Sequence, residues 1–432
     1  MNEYIERTID KIEKKHPKEI PSGVSVHALT QTPVGIGEVI EAIQDLGENR
    51  DFVMKTILAV YASTFLEKKD PVWLMLVGNP SSNKTTLVDL LKGVEDVFRL
   101  DTMTSNPFSS GQREKEKPKD LLPLLNGKCF IIKEYGTLFG RSDEMVKQLI
   151  SDLVAIYDGE YAKHSPTRGT IRYESFFSHI GCVTPMSLNS RQVYMNSVGA
   201  RFLFLKLPAL SPQEKGENLQ KIWDNEGIKT KEEISEIVCK FCVGLKNNIL
   251  NNAKVAFSKK TKDALNNYAF LIARARGIVL TDRISFKTEE GTEKTHYEVS
   301  DIQVEEPFRA LKQLRKIAHA LALVNGKNEV GEEELIIVRK IALSSMPVRR
   351  ADALRVFEKG KIFTAKSASD LLEKNNRTVK RNFDELVALE ILKSRKGENE
   401  KARIYELREE FKEIFQQRES ADFEYVKNIF NE

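Results

Sequence analysis

The sequence predicts an α/β fold, with a parallel-sheet core followed by a mainly helical unit and a small C-terminal unit. Three observations predict it. Short, wholly apolar runs recur at VWLMLVG after Pro71, at CFII, at HIGCV and, after Arg201, at FLFLKL. Runs of that length with no polar alternation read as strands buried on both faces, as in a parallel sheet. Helical patterns separate the first three, as crossover connections require. The first run also leads through a glycine-opened turn, GNPSSNKTT, directly into a helical pattern.

In chain order, residues 1–35 read as an N-terminal extension, a charged amphipathic stretch that loosens through Pro21, Gly23 and Pro33. Helical periodicity runs from Ile36 to Leu66, and the α/β core occupies 36–211. Residues 212–346 turn mostly helical, interrupted by a hairpin, RISFKTEEGTEKTHYEV, around Glu290 and Gly291. Pro347 punctuates the next boundary. Residues 347–407 give three helical patterns and then two strand-like runs joined by KGENEK, and 408–432 form a charged helical tail.

Composition narrows the class. The 432 residues are 41% hydrophobic and 30% charged, enough apolar material for sizeable cores. No apolar stretch reaches the roughly 18 residues of a membrane helix, and the charged N-terminus is unlike a secretory signal. Four cysteines in a chain this long do not make a disulfide framework, so a cytoplasmic protein without a membrane partner is expected. A net charge of +4 is too slight to imply nucleic-acid binding by itself.

The turn carries the first chemical signal. Gly78, Asn79, Pro80, Ser81, Ser82, Asn83, Lys84, Thr85 and Thr86 lie between a predicted strand and a predicted helix, the context a phosphate loop needs. Backbone N–H groups at the helix start, at its positive dipole end, favour phosphate. Lys84 is expected to reach the β- and γ-phosphates and the Thr85 hydroxyl to bind Mg²⁺, so the expected cofactors are ATP and Mg²⁺. Asn83 stands where the consensus has glycine. Asparagine tolerates the left-handed backbone better than other non-glycine residues, so the loop should still close.

The second strand should end in an acidic pair for Mg²⁺ and the attacking water. It reads CFIIKEY, so Lys133 takes the metal-side position and Glu134 follows. Glu134 can polarise water or take over the metal contact. An inward ammonium at residue 133 would weaken Mg²⁺ binding.

These motifs, in this order, resemble those of minichromosome-maintenance-like AAA+ helicases. GNPSSNKTT matches the length and Gly-x-Pro opening of their phosphate loop, and KCFIIKEY their Walker B segment. IYDGEYAKHSPTRGTIRYESFFSHIGCVTP is similar to their pre-sensor-1 hairpin and sensor-1 strand. GARFLFLKL resembles their arginine-finger segment, and the stretch from Glu305 to Leu343 their lid with its sensor-2 arginine. Helicase-like ATP-binding proteins of phages and integrative elements are similar too. The resemblance spans about residues 50–345. It implies a P-loop AAA+ core, a helical lid over 212–346 and a homo-oligomeric ring. It also implies Thr184 at sensor 1, Arg201 as the finger with Arg191 as runner-up, and Arg309 as sensor 2.

Two segments suggest DNA. Lys163, His164, Arg168 and Arg172 surround a turn-rich Ser-Pro-Thr-Arg-Gly tip with no acid after Glu160, which suits tracking a single strand in a ring pore. The 347–407 unit has the element order of a winged helix. Arg377, Thr378, Lys380 and Arg381 would lie on the exposed side of its third helix, away from Phe383, Leu386, Val387 and Leu389. Lys393, Arg395 and Lys396 would sit on the wing. Duplex DNA is the expected partner there, and a protein-docking module the alternative. Two signals are discounted: Cys239 and Cys242 in an apolar helical pattern read as core, and His319 as a packed helix residue.

The sequence therefore points to an ATP-dependent DNA helicase or replication-initiation motor of a phage or mobile element. The competing expectations are an ATP-switched DNA-binding regulator that does not unwind, and a protein-remodelling AAA+ ATPase.

Overall fold

The computed structural model describes residues 34–46, 50–104, 107–108, 120–166, 168–189, 201–208, 212–224, 229–251, 253–287, 293–397 and 402–416. Nearly all of the expected N-terminal extension, Arg191, the 288–292 hairpin tip and the 417–432 tail lie outside these residues.

The first seven strands are β1 (Trp73–Val77), β2 (Val97–Leu100), β3 (Cys129–Ile132), β4 (Glu160–Ser165), β5 (Gly169–Glu174), β6 (Ser178–Val183) and β7 (Phe202–Lys206). Five form one sheet in the order β2-β3-β6-β1-β7, and every pairing in it is parallel. The expected α/β architecture is present, with a wholly parallel five-stranded sheet. β1, β3, β6 and β7 are buried on both faces, which explains their largely apolar runs. Leu74, Leu76, Cys129, Ile131, Leu203 and Leu205 face one core. Trp73, Met75, Phe130, Ile132, Phe202 and Phe204 face the other, with the helix Asp143–Ile156. Gly181 in β6 is needed by the packing, because a Cβ there would meet the Tyr135 ring at 2.5 Å and Met75 Sδ at 2.7 Å.

The structure corrects the sequence reading at several elements. The helical stretch expected from Ile36 to Leu66 divides into Ile36–Ile43, a 3-10 turn Gln44–Leu46, and Asp51–Ser63. The helix after the phosphate loop ends at Asp89, earlier than its apolar pattern suggests. Strand β2 went unread because VFRL carries an arginine and is half-buried. β4 and β5 form the antiparallel hairpin that the resemblance implied, between β3 and β6.

The later helices pack on the same core. Helix Phe308–Val324 lies against Asp51–Ser63. Helix Glu332–Ser344 covers the free edge of β7, whose Phe204 and Lys206 N–H groups donate to Ser345 Oγ (2.9 Å) and Ser344 Oγ (3.2 Å). An edge satisfied this way is closed to further strand pairing. β8 (Ile278–Lys287) and β9 (Glu293–Gln303) make a long antiparallel ribbon. Beyond Pro347 come, among the described residues, five helices and a sheet of β10 (Ile362–Thr364), β11 (Leu392–Lys396) and β12 (Arg403–Leu407), ordered β10-β12-β11. The first expected helix of this unit is split at Leu354/Val356, and β10 was not read from sequence. Helix Glu409–Gln416 buries Phe411, Ile414 and Phe415, and Arg339 Nε donates to the Ile414 carbonyl (2.6 Å). The start of the charged tail is therefore part of the core.

Candidate functional site

In a parallel sheet all strands end at one edge, and register fixes which residues meet there. Val77 pairs with Val183, and Ile132 with Gly181. The phosphate loop after β1, Thr184 after β6, and Lys133 and Glu134 after β3 therefore share the C-terminal edge, where α/β folds bind ligands.

The loop is built by its own backbone. Gly78 N–H donates to the Val183 carbonyl (3.1 Å), tying the loop to β6. A Cβ on Gly78 would meet Ser82 Oγ at 2.6 Å, so a side chain there would fill the cradle. Ser81 and Asn83 both have positive φ, +62° and +61°, so Asn83 takes the left-handed conformation its sequence position demanded. Its Nδ2 donates to the Leu46 carbonyl (2.7 Å), anchoring the loop to the preceding turn. Asn79, Pro80 and Ser81 form the exposed rim, while Ser82, Thr85 and Thr86 are half-buried. Lys84 opens the helix and is buried, and its Nζ folds back onto the Asn79 carbonyl (3.1 Å). Ser82 Oγ is buried without a hydrogen-bond partner. A cradle with a lysine folded inward and an orphaned hydroxyl fits a phosphate chain.

Around the loop, the expected residues fare differently. Glu134 is exposed at the start of helix Tyr135–Phe139. Thr184 Oγ1 is engaged by its own chain, pairing with Ser187 Oγ (2.9 Å) and accepting from Ser187 N–H (3.3 Å). Lys133 is a half-buried ammonium bound to Asp101 Oδ1 (2.6 Å), with Asp89 Oδ1 at 3.6 Å. The hydrogen bond to Asp101 raises the lysine above its ordinary range and lowers the Asp101 carboxyl.

The chain matches no protein-family model and no curated protein. One solved structure from Cytophaga hutchinsonii, described as a candidate ATPase, is 16% identical, with a TM-score of 0.40 over 72% of this chain and 85% of that one. The functional reading rests on the site itself.

Arg201 and Arg309 lie elsewhere. Phe202 pairs with Trp73, so Arg201 sits at the N-terminal edge of the sheet, the full length of β1 away from the phosphate loop. Arg201 and Arg309 both lie over the Tyr157 ring, at 5.8 and 5.6 Å from its centroid. Gln313 Nε2 donates to the Arg201 carbonyl (2.7 Å) and Tyr157 hydroxyl (2.9 Å), fixing the cluster. Burial and the neighbouring Arg309 charge hold the Arg201 guanidinium below its ordinary range. This corrects the simplest form of the sensor-2 expectation, since Arg309 is not beside its own chain's loop.

The hairpin cations divide. Lys163 faces inward, 3.9 Å from Asp152, and Arg168 donates to Asp120 Oδ2 (2.5 Å), whose carboxylate also accepts from Tyr173. His164 and Arg172 are exposed on the opposite face. The expectation of four free cations is thus corrected: an acid from a distant segment neutralises Arg168. In the C-terminal unit Phe383, Leu386 and Leu389 are buried as expected, and Thr378 is exposed. Arg377, Lys380, Arg395 and Lys396 are exposed with no ion pair to a described residue, whereas Arg381 pairs with Glu385 and Lys393 with Glu406.

The sequence reading missed His179. It lies at the centre of an aromatic cluster, paired with the Tyr135 hydroxyl (2.6 Å) and the Phe130 carbonyl (2.8 Å). Burial pushes its imidazole down to about 4. Nδ1 then donates to Phe130, and Nε2 accepts from Tyr135.

Among the described residues no helix is long and apolar enough to cross a membrane, and no group of three or more His, Cys, Asp or Glu could hold a metal.

Proposed function

We propose that this chain is an ATPase that binds ATP with Mg²⁺ in the Gly78–Thr86 loop. The observation that carries the reading is the loop geometry: left-handed Asn83, buried Lys84 and Gly78 tied to β6, level with Glu134. Lys84 would bind the β- and γ-phosphates, and the hard oxygens of Thr85 and Glu134 suit Mg²⁺. The metal would neutralise phosphate charge while Glu134 orients or deprotonates the attacking water. Lys84→Ala should abolish nucleotide binding with the fold intact, because the loop loses its only point charge. Undiminished affinity for a fluorescent ATP analogue would sink the assignment.

The finer reading is a DNA helicase or replication-initiation motor of a phage or mobile element, with lid and winged helix as the resemblance implies. The far-edge pair Arg201 and Arg309 supports a homo-oligomeric ring, since guanidiniums there suit a neighbour's nucleotide better than their own. The free cations Arg377, Lys380, Arg395 and Lys396 support duplex binding by the C-terminal unit. The inward Lys163 and Arg168 favour one alternative, an ATP-switched DNA-binding regulator that does not track a strand. Strand displacement by the purified protein, absent in the regulator, separates the two. ATP turnover with and without single-stranded DNA tests both against a protein-remodelling ATPase.

A further inference from the structure

The ammonium of Lys133 is held by its surroundings in a direction that sequence could not give. Leu100 pairs with Ile132 and Lys133 N–H donates to the Leu100 carbonyl (3.2 Å), so Asp101 stands abreast of Lys133 at the sheet edge. The ammonium contacts Asp101 at 2.6 Å and Asp89 Oδ1 at 3.6 Å, and Arg99 binds the same Asp89 oxygen at 2.5 Å. Asp89 lies four residues beyond Thr85 on the loop's helix, on the same face and one turn farther from the phosphates. The four side chains carry two positive and two negative charges. We propose that Asp101, with Asp89, latches the Lys133 ammonium away from the position beside Thr85, leaving that position free for a divalent cation bound with the nucleotide. Asp101 is a positioning residue in this account, acting through Lys133 and touching neither metal nor phosphate. The inference rests on the nucleotide reading above.

Without the Asp101 charge, two cations would share Asp89, and phosphate oxygens would become the best remaining partner for Lys133. The ammonium would then compete with the metal by like-charge repulsion and by occupying its oxygens. Asp101 is largely exposed, so Asp101→Asn should fold normally. The test is equilibrium binding of a fluorescent non-hydrolysable ATP analogue, with Mg²⁺ or with EDTA. Asp101→Asn should lose about tenfold in affinity with Mg²⁺ and nothing with EDTA. Adding Lys133→Ala to that variant should restore the Mg²⁺ value, and Lys133→Ala alone should bind as the native chain does. Equal losses with and without Mg²⁺, no loss at all, or no restoration would each overturn the latch while leaving nucleotide binding intact. A native chain that binds no analogue in either buffer overturns the nucleotide reading, and the latch with it.

Discussion

His179 shows how one buried side chain sets a pH response. Its folded imidazole titrates at about 4, against 6.5 for an exposed histidine. Between those values the unfolded chain takes up a proton that the folded chain refuses. The contribution of His179 to stability is therefore complete above pH 6.5 and shrinks as pH falls towards 4, by about 1.4 kcal/mol per unit. Urea midpoints measured from pH 7 to pH 5 should fall more steeply for the native chain than for His179→Gln, which has no proton to gain. Parallel slopes would remove His179 as the cause. Glu134 makes the matching case for chemistry. Glu134→Gln should retain nucleotide affinity and lose about a hundredfold or more in turnover, since an amide accepts no proton. If Glu134 is instead mainly a metal ligand, Mg²⁺-dependent binding should fall alongside.

At the scale of elements, the β4–β5 hairpin separates structural cations from available ones. Arg168 satisfies a carboxylate, Asp120, whose side chain is only 1% exposed. Arg168→Ala should therefore cost on the order of 2 kcal/mol in urea unfolding, by taking from that buried charge its cationic partner. Arg172→Ala, on the exposed face, should leave stability nearly unchanged. If the hairpin meets DNA, Arg172→Ala together with His164→Ala should reduce stimulation of turnover by single strands, increasingly so at low salt. Normal stimulation in that double variant would exclude the outer face as the contact. The same hairpin marks how far sequence reaches. β1, β3, β6 and β7 were legible because burial on both faces leaves an unbroken apolar signature, and the phosphate loop because its geometry is local in the chain. The Arg168–Asp120 and Lys133–Asp101 pairs were not, because each joins residues far apart in the chain, Lys133–Asp101 through sheet register and Arg168–Asp120 through packing of the hairpin against the segment before helix Leu122–Leu125. β2 was missed because its arginine interrupts a half-buried run, and β10 because it is only three residues long.

At the scale of the whole molecule, the two sheet edges make an argument about assembly. The phosphate loop and Glu134 occupy one edge, Arg201 and Arg309 the other, about five residues of strand apart, or roughly 16 Å. Side chains cannot close that distance within one subunit, so arginines that stabilise charge at a γ-phosphate must do so at a neighbour's site. Lys84→Ala protein has a dead nucleotide site but intact arginines, and Arg201→Ala protein has the reverse. In the proposed ring each alone should be nearly inactive, because every interface would lack one half of the machinery. In mixed rings some interfaces pair an intact loop with an intact Arg201, so mixing should restore part of the native turnover. Restoration should follow the fraction of such interfaces as the mixing ratio is varied, and should vanish under dilution that separates the subunits. Rates that stay strictly additive in an oligomer shown to be mixed would place Arg201 outside catalysis in trans, and its stacking on Tyr157 would then be purely structural.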